Sequence, residues 1–321
     1  MSNTPIALKR IHHIELYVGN AKQAAFYYRK AFGFSQTAYA GLETGQKDRT
    51  SYVLEQDRIR FVLTTPLHPG GPINEHLDQH GDGVKDIAFE VEDADVAFAQ
   101  AVERGAEPAV HPHERTDEHG TIRRAAVKTY GDTLHSFYST ASYDGPFLPG
   151  FRPDRKDESG VGLEFIDHIV GNVEDRKMDE WVDWYGKTFG FERFVSFDDT
   201  DISTEFTSLR STVVASENRK IKFPINEPAD GRKKSQIQEY VEFYHGAGVQ
   251  HLALYTADIV QTIAQLRERG VEFLVVPDTY YEDVWERVGE IDESRDEIRK
   301  HAILVDRDDE GYLLQLFTEP V

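Results

Sequence analysis

Two short stretches, one in each half of the chain, decide the fold that this sequence predicts. Residues 83–89 read GVKDIAF, and residues 248–254 read GVQHLAL. Each stretch is followed by a helical pattern that ends in Glu-Arg-Gly, at 103–105 and at 268–270. Matched motifs in matched order indicate an internal duplication.

An earlier unit in each half repeats in the same way. Residues 11–18 and 166–173 are β-branched runs of strand length, and a histidine stands early in each. Residues 22–32 and 178–189 then carry apolar residues at helical spacing and stop at a glycine within a Phe-Gly-Phe motif. The duplication therefore extends over two units per half.

Short apolar runs supply the remaining strands of each unit. Residues 52–54 and 59–63 have the spacing of a hairpin, and residues 106–110 and 271–276 each follow a predicted helix. Each unit reads strand–helix–strand–strand–strand. Because so short a unit leaves one sheet face exposed, two units would bury those faces by curling together. We therefore predict an α+β fold of four βαβββ modules, paired into two half-open barrels that each enclose a ligand cavity.

Glycine, proline and a run of charges cluster between the two halves, as in a linker. This predicts a first barrel domain over 1–145, a linker over 146–162 and a second domain over 163–321. Residues 279–300 have no counterpart in the first half. They are aromatic and highly charged, which predicts one or two surface helices over the cavity mouth or an interface.

Composition excludes several classes of function. The chain has 321 residues, a formal net charge of −21 and no cysteine, so thiolate metal sites, iron–sulfur clusters and disulfides are excluded. So acidic a protein is a poor partner for nucleic acid. No apolar run reaches the roughly 20 residues that cross a bilayer, and residues 1–10 lack the apolar segment of a secretory signal. We therefore expect a cytoplasmic protein with no membrane or nucleic-acid partner.

His168 and His251 are the candidate metal ligands. Both stand early in predicted strands of the second half, at places that the repeat makes equivalent to His13 and Asp86 of the first half. Two imidazoles and one carboxylate on one face form the facial triad of non-haem Fe(II) oxygenases, whereas zinc prefers a closed tetrahedron. The alternative is that each is an ordinary hydrogen-bonded strand histidine. A further trio at 111, 113 and 119 is expected on a loop, with only solvation or adventitious metal binding.

Several longer segments resemble the 4-hydroxyphenylpyruvate dioxygenase family, a branch of the vicinal oxygen chelate superfamily. They are DHIVGNV at 167–173, KFPINEP at 222–228, KSQI at 234–237, GAGVQHLAL at 246–254 and GYLLQLF at 311–317, with VGNA at 18–21 and YDGP at 143–146 in the first half. The resemblance covers essentially the whole chain, and PINEP and GVQH are long enough to be highly specific.

The resemblance implies a role for individual residues. It implies that His168 and His251 bind iron. The polar pocket around the substrate would be formed by Gln236, Gln315, Asn226 and Ser211, and further substrate contacts would come from Pro224, Gln250 and Phe317. Without the resemblance, Ser211 reads as a strand hydroxyl, Gln236 as a helix cap and Asn226 as turn chemistry.

The resemblance also implies an activity. Fe(II) would hold the 2-oxo acid of 4-hydroxyphenylpyruvate, and reaction with O₂ would give homogentisate and CO₂ in tyrosine catabolism, with no nicotinamide or flavin. A homodimer or homotetramer is implied as well. The alternatives are 4-hydroxymandelate synthase, which Pro224 and Asn226 match less well, an extradiol dioxygenase, which leaves PINEP unexplained, and a non-catalytic relic of the fold.

One feature departs from the family pattern. The family's third iron ligand is a glutamate on a strand that follows the segment in which this sequence reaches Val321. No residue here inherits that role, since Gln315 is a neutral amide and Glu319 is not expected to reach the metal. We therefore expect a second domain without its last strand and helix, from a truncated or inactive form.

Overall fold

The computed structural model describes residues 4–197, 209–229, 234–308 and 311–320; Val321 lies outside them. The first half consists of β1 (Leu8–Tyr17), α1 (Ala21–Phe32), β2 (Ser35–Ala40), β3 (Arg49–Gln56), β4 (Ile59–Pro66), α2 (Pro72–His80), β5 (Gly83–Val91), α3 (Ala94–Glu103), β6 (Pro108–Asp117), β7 (Gly120–Lys128), β8 (Leu134–Ser139) and β9 (Arg152–Lys156). These strands form one sheet in the order β6-β7-β8-β5-β1-β4-β3-β2-β9. Two βαβββ modules therefore meet along the antiparallel pair β1–β5.

The second half begins in the same way. Its elements are β10 (Leu163–Asn172), α4 (Met178–Phe189), β11 (Glu192–Phe197), β12 (Leu209–Ala215), β13 (Lys222–Pro228), α5 (Gln236–Phe243), β14 (Gly248–Thr256), α6 (Ile259–Glu268), α7 (Tyr280–Val288), α8 (Arg295–Lys300), β15 (Leu304–Asp308) and β16 (Gly311–Gln315). Five strands form a sheet in the order β11-β12-β13-β10-β14, and β15 and β16 form a hairpin of their own. The α+β fold of repeated modules is confirmed.

The duplication holds at the level of strand register. His13 lies opposite Ala88 across β1 and β5, and His168 lies opposite Ala253 across β10 and β14. The irregularities of the two pairs fall at matching places, one of them directly before each histidine. Equivalent side chains therefore sit at equivalent points of the two sheets.

Local sequence explains the paired helices α1 and α4. Each ends at a glycine, Gly33 or Gly190, with φ of 74°, a left-handed backbone that glycine adopts without a Cβ penalty. A Cβ on Gly190 would also lie 2.7 Å from Pro5 Cα. The helices predicted over 22–32 and 178–189, and the two helices expected within 279–300, are confirmed.

Three expectations from the sequence are corrected. The prediction of a strand over 271–276 is wrong, because this run makes only an isolated bridge between Phe273 and Thr318. The segment assigned as linker contains β9, which extends the first sheet through β2. His111 and His113 lie in strand β6 of a hairpin and not in a loop.

The two halves share one apolar core. His135 on β8 packs against Tyr185 and Phe189 of α4 and against Phe223 of β13. The ring nitrogen Nε2 of His135 lies 2.8 Å from the Tyr185 hydroxyl. No helix in the described part of the chain is long and apolar enough to cross a lipid bilayer.

Candidate metal centre

His168 is oriented by a carboxylate next to it in the sequence. Its Nδ1 lies 2.8 Å from Oδ2 of Asp167, and the Lys222 ammonium lies 2.7 Å from Oδ1 of the same carboxylate. The hydrogen bond with His168, helped by Lys222, lowers the pKa of Asp167 to about 2. An ionised carboxylate only accepts hydrogen bonds, so Nδ1 of His168 carries the proton and Nε2 carries the lone pair.

His251 is oriented in the same manner by a different neighbour. Its Nδ1 makes a short hydrogen bond with the side-chain oxygen of Gln250, so Nδ1 again donates and Nε2 is left with the lone pair. Burial, and then the nearby His168, lower the pKa of His251 to about 4. The ring is therefore neutral at pH 7, as a metal ligand must be.

The two imidazoles face each other across β10 and β14. Their ring centroids lie 5.9 Å apart with an interplanar angle of 74°. Hydrogen bonding of the second ring nitrogen to a carboxylate or amide oxygen is the usual arrangement around metal-bound histidines. The pair thus fits two adjacent ligand positions on one divalent ion, and the His168 side chain is still 28% exposed to an incoming ligand.

A third protein ligand does not join this pair within the described ranges. The only group there of three histidine or carboxylate side chains close enough for one ion consists of His76, His80 and Asp132, which lies elsewhere. Glu319 is exposed, and its backbone N–H donates to Glu272. The structure therefore brings together the two histidines that the sequence predicted as ligands, and their role as ligands remains a prediction.

A row of polar side chains crosses the strands beside the histidines. Ser211 on β12 lies opposite Asn226 on β13, and Asn226 lies beside Asn172 on β10. The Asn226 amide donates to Oδ1 of Asn172 over 3.3 Å. Ser211 and Asn172 are buried, so the row offers oriented hydroxyl and amide groups within the second sheet.

Comparison with known proteins decides the family. A model of the Glyoxalase/Bleomycin resistance protein/Dioxygenase superfamily matches residues 10–137 and 165–316. A 4-hydroxyphenylpyruvate dioxygenase from Xenopus tropicalis is 48% identical over 97% of this chain and 82% of its own length. The chain belongs to the 4-hydroxyphenylpyruvate dioxygenase family. The dioxygenase of Dictyostelium discoideum is also 48% identical, over 96% of this chain and 88% of its own.

Solved structures match the fold over almost the whole chain. A triple variant of 4-hydroxymandelate synthase from Streptomyces coelicolor matches with a TM-score of 0.85 and 30% identity, over 98% of this chain and 89% of its own. A fusion of a xylose isomerase-like TIM barrel with a 4-hydroxyphenylpyruvate dioxygenase matches with a TM-score of 0.75 at 22% identity, over 99% of this chain and 48% of its own, and shows the fold alone.

The other residues to which the resemblance assigned a role differ in their burial and in their contact with the two histidines. Phe317 packs edge-on against His251, with ring centroids 5.3 Å apart. Pro224 lies half-buried on β13, Gln315 ends β16, and Gln236 is the exposed first residue of α5. Gln236 is not the helix cap, since Ser235 accepts from the Ile237 N–H. The roles of these residues remain predictions.

Sequence reasoning missed three residues of the candidate site. Asp167 and Lys222 orient His168, and Asn172 holds Asn226. Asp167 and Asn172 belong to the segment DHIVGNV at 167–173, and Lys222 begins the segment KFPINEP at 222–228. All three therefore lie in segments that carry the resemblance, but the sequence assigned them no role. A carboxylate directly before a candidate ligand is the signal that could have identified Asp167.

Proposed function

We propose that this protein is an Fe(II)-dependent dioxygenase that converts 4-hydroxyphenylpyruvate and O₂ to homogentisate and CO₂. The observation that carries the proposal is the pair His168 and His251, each with Nδ1 held by a neighbour, whose ring centroids lie 5.9 Å apart. The curated relatives at 45–48% identity bear the dioxygenase name, which supports the same assignment. Iron held by His168 and His251 would supply the Lewis-acid and redox chemistry that a reaction of a 2-oxo acid with O₂ requires.

The residues of the chain prepare this chemistry. Asp167 keeps the Nδ1 proton of His168 in place and raises the basicity of its Nε2. Gln250 does the same for His251 with a neutral oxygen. A divalent ion held by these two rings would supply positive charge, so a protein of high negative charge could bind an anionic substrate at this place.

The aromatic part of the substrate requires a pocket with few polar groups. Phe317 forms an apolar wall beside His251. Ser211, Asn226 and Asn172 form a polar row that can accept or donate a hydrogen bond to the phenol. In this proposal Pro224, Gln236, Gln250 and Gln315 line or orient the remainder of the pocket. We propose further that the protein acts as a homodimer or homotetramer in the cytoplasm.

The test is an anaerobic mixture of the protein, Fe(II) and 4-hydroxyphenylpyruvate that is then exposed to air. Oxygen uptake matched by homogentisate confirms the proposal. Production of 4-hydroxymandelate would identify the synthase, to which the structural similarity also extends. Absence of oxygen uptake, with tight Fe(II) binding or without it, would contradict the proposed activity and favour a non-catalytic member of the family.

A further inference from the structure

A second cluster of metal-binding side chains lies between α2 and the turn that joins β7 to β8. His76 and His80 stand one helical turn apart on α2, so they share one face. One ring nitrogen from each and one carboxylate oxygen of Asp132 all lie within 4.8 Å of one another. Neither His168 nor His251 belongs to this cluster.

The hydrogen bonds of His80 fix where its lone pair lies. Its Nδ1 makes a short hydrogen bond with the backbone oxygen of Tyr244, an oxygen that can only accept. Nδ1 therefore donates, and in the neutral ring Nε2 carries the lone pair. Nε2 lies 3.7 Å from Oδ1 of Asp132. A nitrogen lone pair thus faces a carboxylate oxygen across a gap that is too long for a hydrogen bond.

These two facing atoms have no other partner, since Nε2 of His80 and Oδ1 of Asp132 are buried without a hydrogen bond. His76 contacts the other carboxylate oxygen, because its Nδ1 lies 2.8 Å from Oδ2 of Asp132, and its own Nε2 is buried without a hydrogen bond. His76 and His80 are 2% and 6% exposed, and a buried acceptor left unpaired is costly. A cation between the two acceptors removes that cost. A ring nitrogen of a histidine that donates its other N–H to a backbone carbonyl is the usual form of a metal ligand.

Surrounding residues hold the cluster in place. Gly131 has φ of 60°, and a Cβ there would clash with the backbone of Ala247. The turn that carries Asp132 therefore packs directly on the segment before β14. Lys85 Nζ lies 2.8 Å from Oδ2 of Asp132 and leaves Oδ1 free. The Lys85 charge makes the site weaker than a four-ligand structural zinc site.

We propose that His76, His80 and Asp132 form a second site for a divalent transition-metal ion of the zinc type. Two imidazoles and one carboxylate without thiolates suit zinc or cobalt. The half-exposed side of Asp132 leaves room for a water as fourth ligand. The bound ion would join α2 to the β7–β8 turn and to Tyr244, and so support the base of the strand that carries His251.

The test uses the full chain with its first site removed. In the double variant His168→Ala/His251→Ala, zinc titration followed by elemental analysis is expected to show about one ion per chain, and the melting temperature is expected to rise with the logarithm of zinc concentration. Addition of His80→Gln is expected to abolish both effects. Addition of His111→Gln, which removes an exposed imidazole instead, is the matched control and is expected to change neither.

A second variant guards against misfolding. Asp132→Asn keeps an acceptor for His76 and is expected to weaken zinc binding at least tenfold in the same background, with an unchanged circular dichroism spectrum. Cobalt gives an independent readout, since its visible absorption is expected in the double variant and not after His80→Gln. Zinc binding that survives both His80→Gln and Asp132→Asn would overturn the proposal, and so would a double variant that binds no zinc. Neither result depends on dioxygenase activity.

Discussion

Equivalent strands of the two halves carry different chemistry at equivalent places. In the first half, His13 lies 2.7 Å from His12 through their Nδ1 atoms, and Asp86 is held by Ser136 and faces Arg124 at 3.6 Å. In the second half, the corresponding places hold Asp167, His168 and His251. The equivalent strand pairs β1–β5 and β10–β14 thus carry an internally paired cluster in one half and two oriented imidazoles in the other.

The difference shows what converts this scaffold into a metal site. Burial lowers the pKa of His12 to about 3 and lowers the pKa of His13 well below its usual value, so both rings are neutral. The carboxylate of Asp86 already has its hydrogen-bond donors, and the guanidinium of Arg124 supplies the positive charge. The first half therefore needs no ion. In the second half, His251 stands at the place of Asp86 and Asp167 stands at the place of His12, so the carboxylate lies behind His168 and orients its ring.

The largest expected effect is a loss of Fe(II) affinity when a histidine of the second half, but not its counterpart in the first half, is replaced. His251→Ala removes one of two imidazole ligands, and Fe(II) affinity is expected to fall by more than about 100-fold, because even loss of a ligand's supporting partner costs 10–100-fold. Oxygen uptake should fall with it. Anaerobic Fe(II) titration measures the affinity. His13→Gln, at the equivalent place in the first half, is the control, and an equal loss there would show that the halves do not differ as described.

The next effect concerns the carboxylate behind His168. Asp167→Asn keeps the shape of the side chain and removes the charge that orients Nδ1 and pairs with Lys222. We expect Fe(II) affinity to fall by about 10–100-fold, again by anaerobic titration. Asp175→Asn, an exposed neighbour with the same change of charge, should leave affinity unchanged. If the two variants bind alike, Asp167 does not tune the site.

Much of this contrast could be predicted from the sequence, because it rests on local patterns. Apolar spacing with a stop at Gly33 and Gly190 predicted helices that end where α1 and α4 end. The internal repeat placed His168 and His251 at matching points of two strands. The family assignment rested on long motifs, and the relatives confirm it.

Contacts between residues far apart in the sequence could not be predicted from these local patterns. Strand β9 has the sequence RPDRK, which carries no apolar alternation, and it forms only because β2 offers a free edge. The run 271–276 has strong β propensity and yet makes one bridge, because propensity does not specify a partner. The Lys222–Asp167 pair joins residues from separate strands, so the sequence alone did not reveal its role.

A third prediction tests the buried carboxylate of the first half. Burial raises the pKa of Asp86 to about 6, against the pull of Arg124 and Ser136. An unfolded chain ionises aspartate near a pKa of about 4, so between pH 4 and 6 the folded protein retains a proton that the unfolded chain has lost. The contribution of Asp86 to the free energy of unfolding is therefore full below pH 4 and falls by about 3 kcal/mol as pH rises to 6.

The variant Asp86→Asn lacks this titration. The free energy of unfolding of the variant minus that of the wild type is expected to rise by about 3 kcal/mol between pH 4 and 6 and to stay level above pH 6. Urea unfolding at several pH values measures it. The difference is the quantity to follow, because His12 and His13 give both proteins a stability that increases with pH. A difference that is flat with pH would contradict the raised pKa of Asp86.

The smallest effect compares two matched helix caps. Asp93 caps α3 by accepting from the N–H groups of Asp95 and Val96, and Asp258 caps α6 by accepting from that of Gln261. Replacement of either by alanine should cost about 1 kcal/mol. The sheets beside the two helices differ. Beside α3, strand β8 pairs with β5. In the described part of the second half, the hairpin strand β16 pairs with β15 and not with β14.

That difference predicts two kinds of unfolding. Asp93→Ala should lower the global free energy of unfolding, because α3 is held by a complete module. Asp258→Ala should instead make the α6 amides exchange about fivefold faster through local opening, with little change in global stability. Native-state hydrogen exchange beside urea unfolding distinguishes the two. If both variants lower global stability equally and leave local exchange alike, the second half is as firmly closed as the first, and the contrast between the halves is confined to their polar residues.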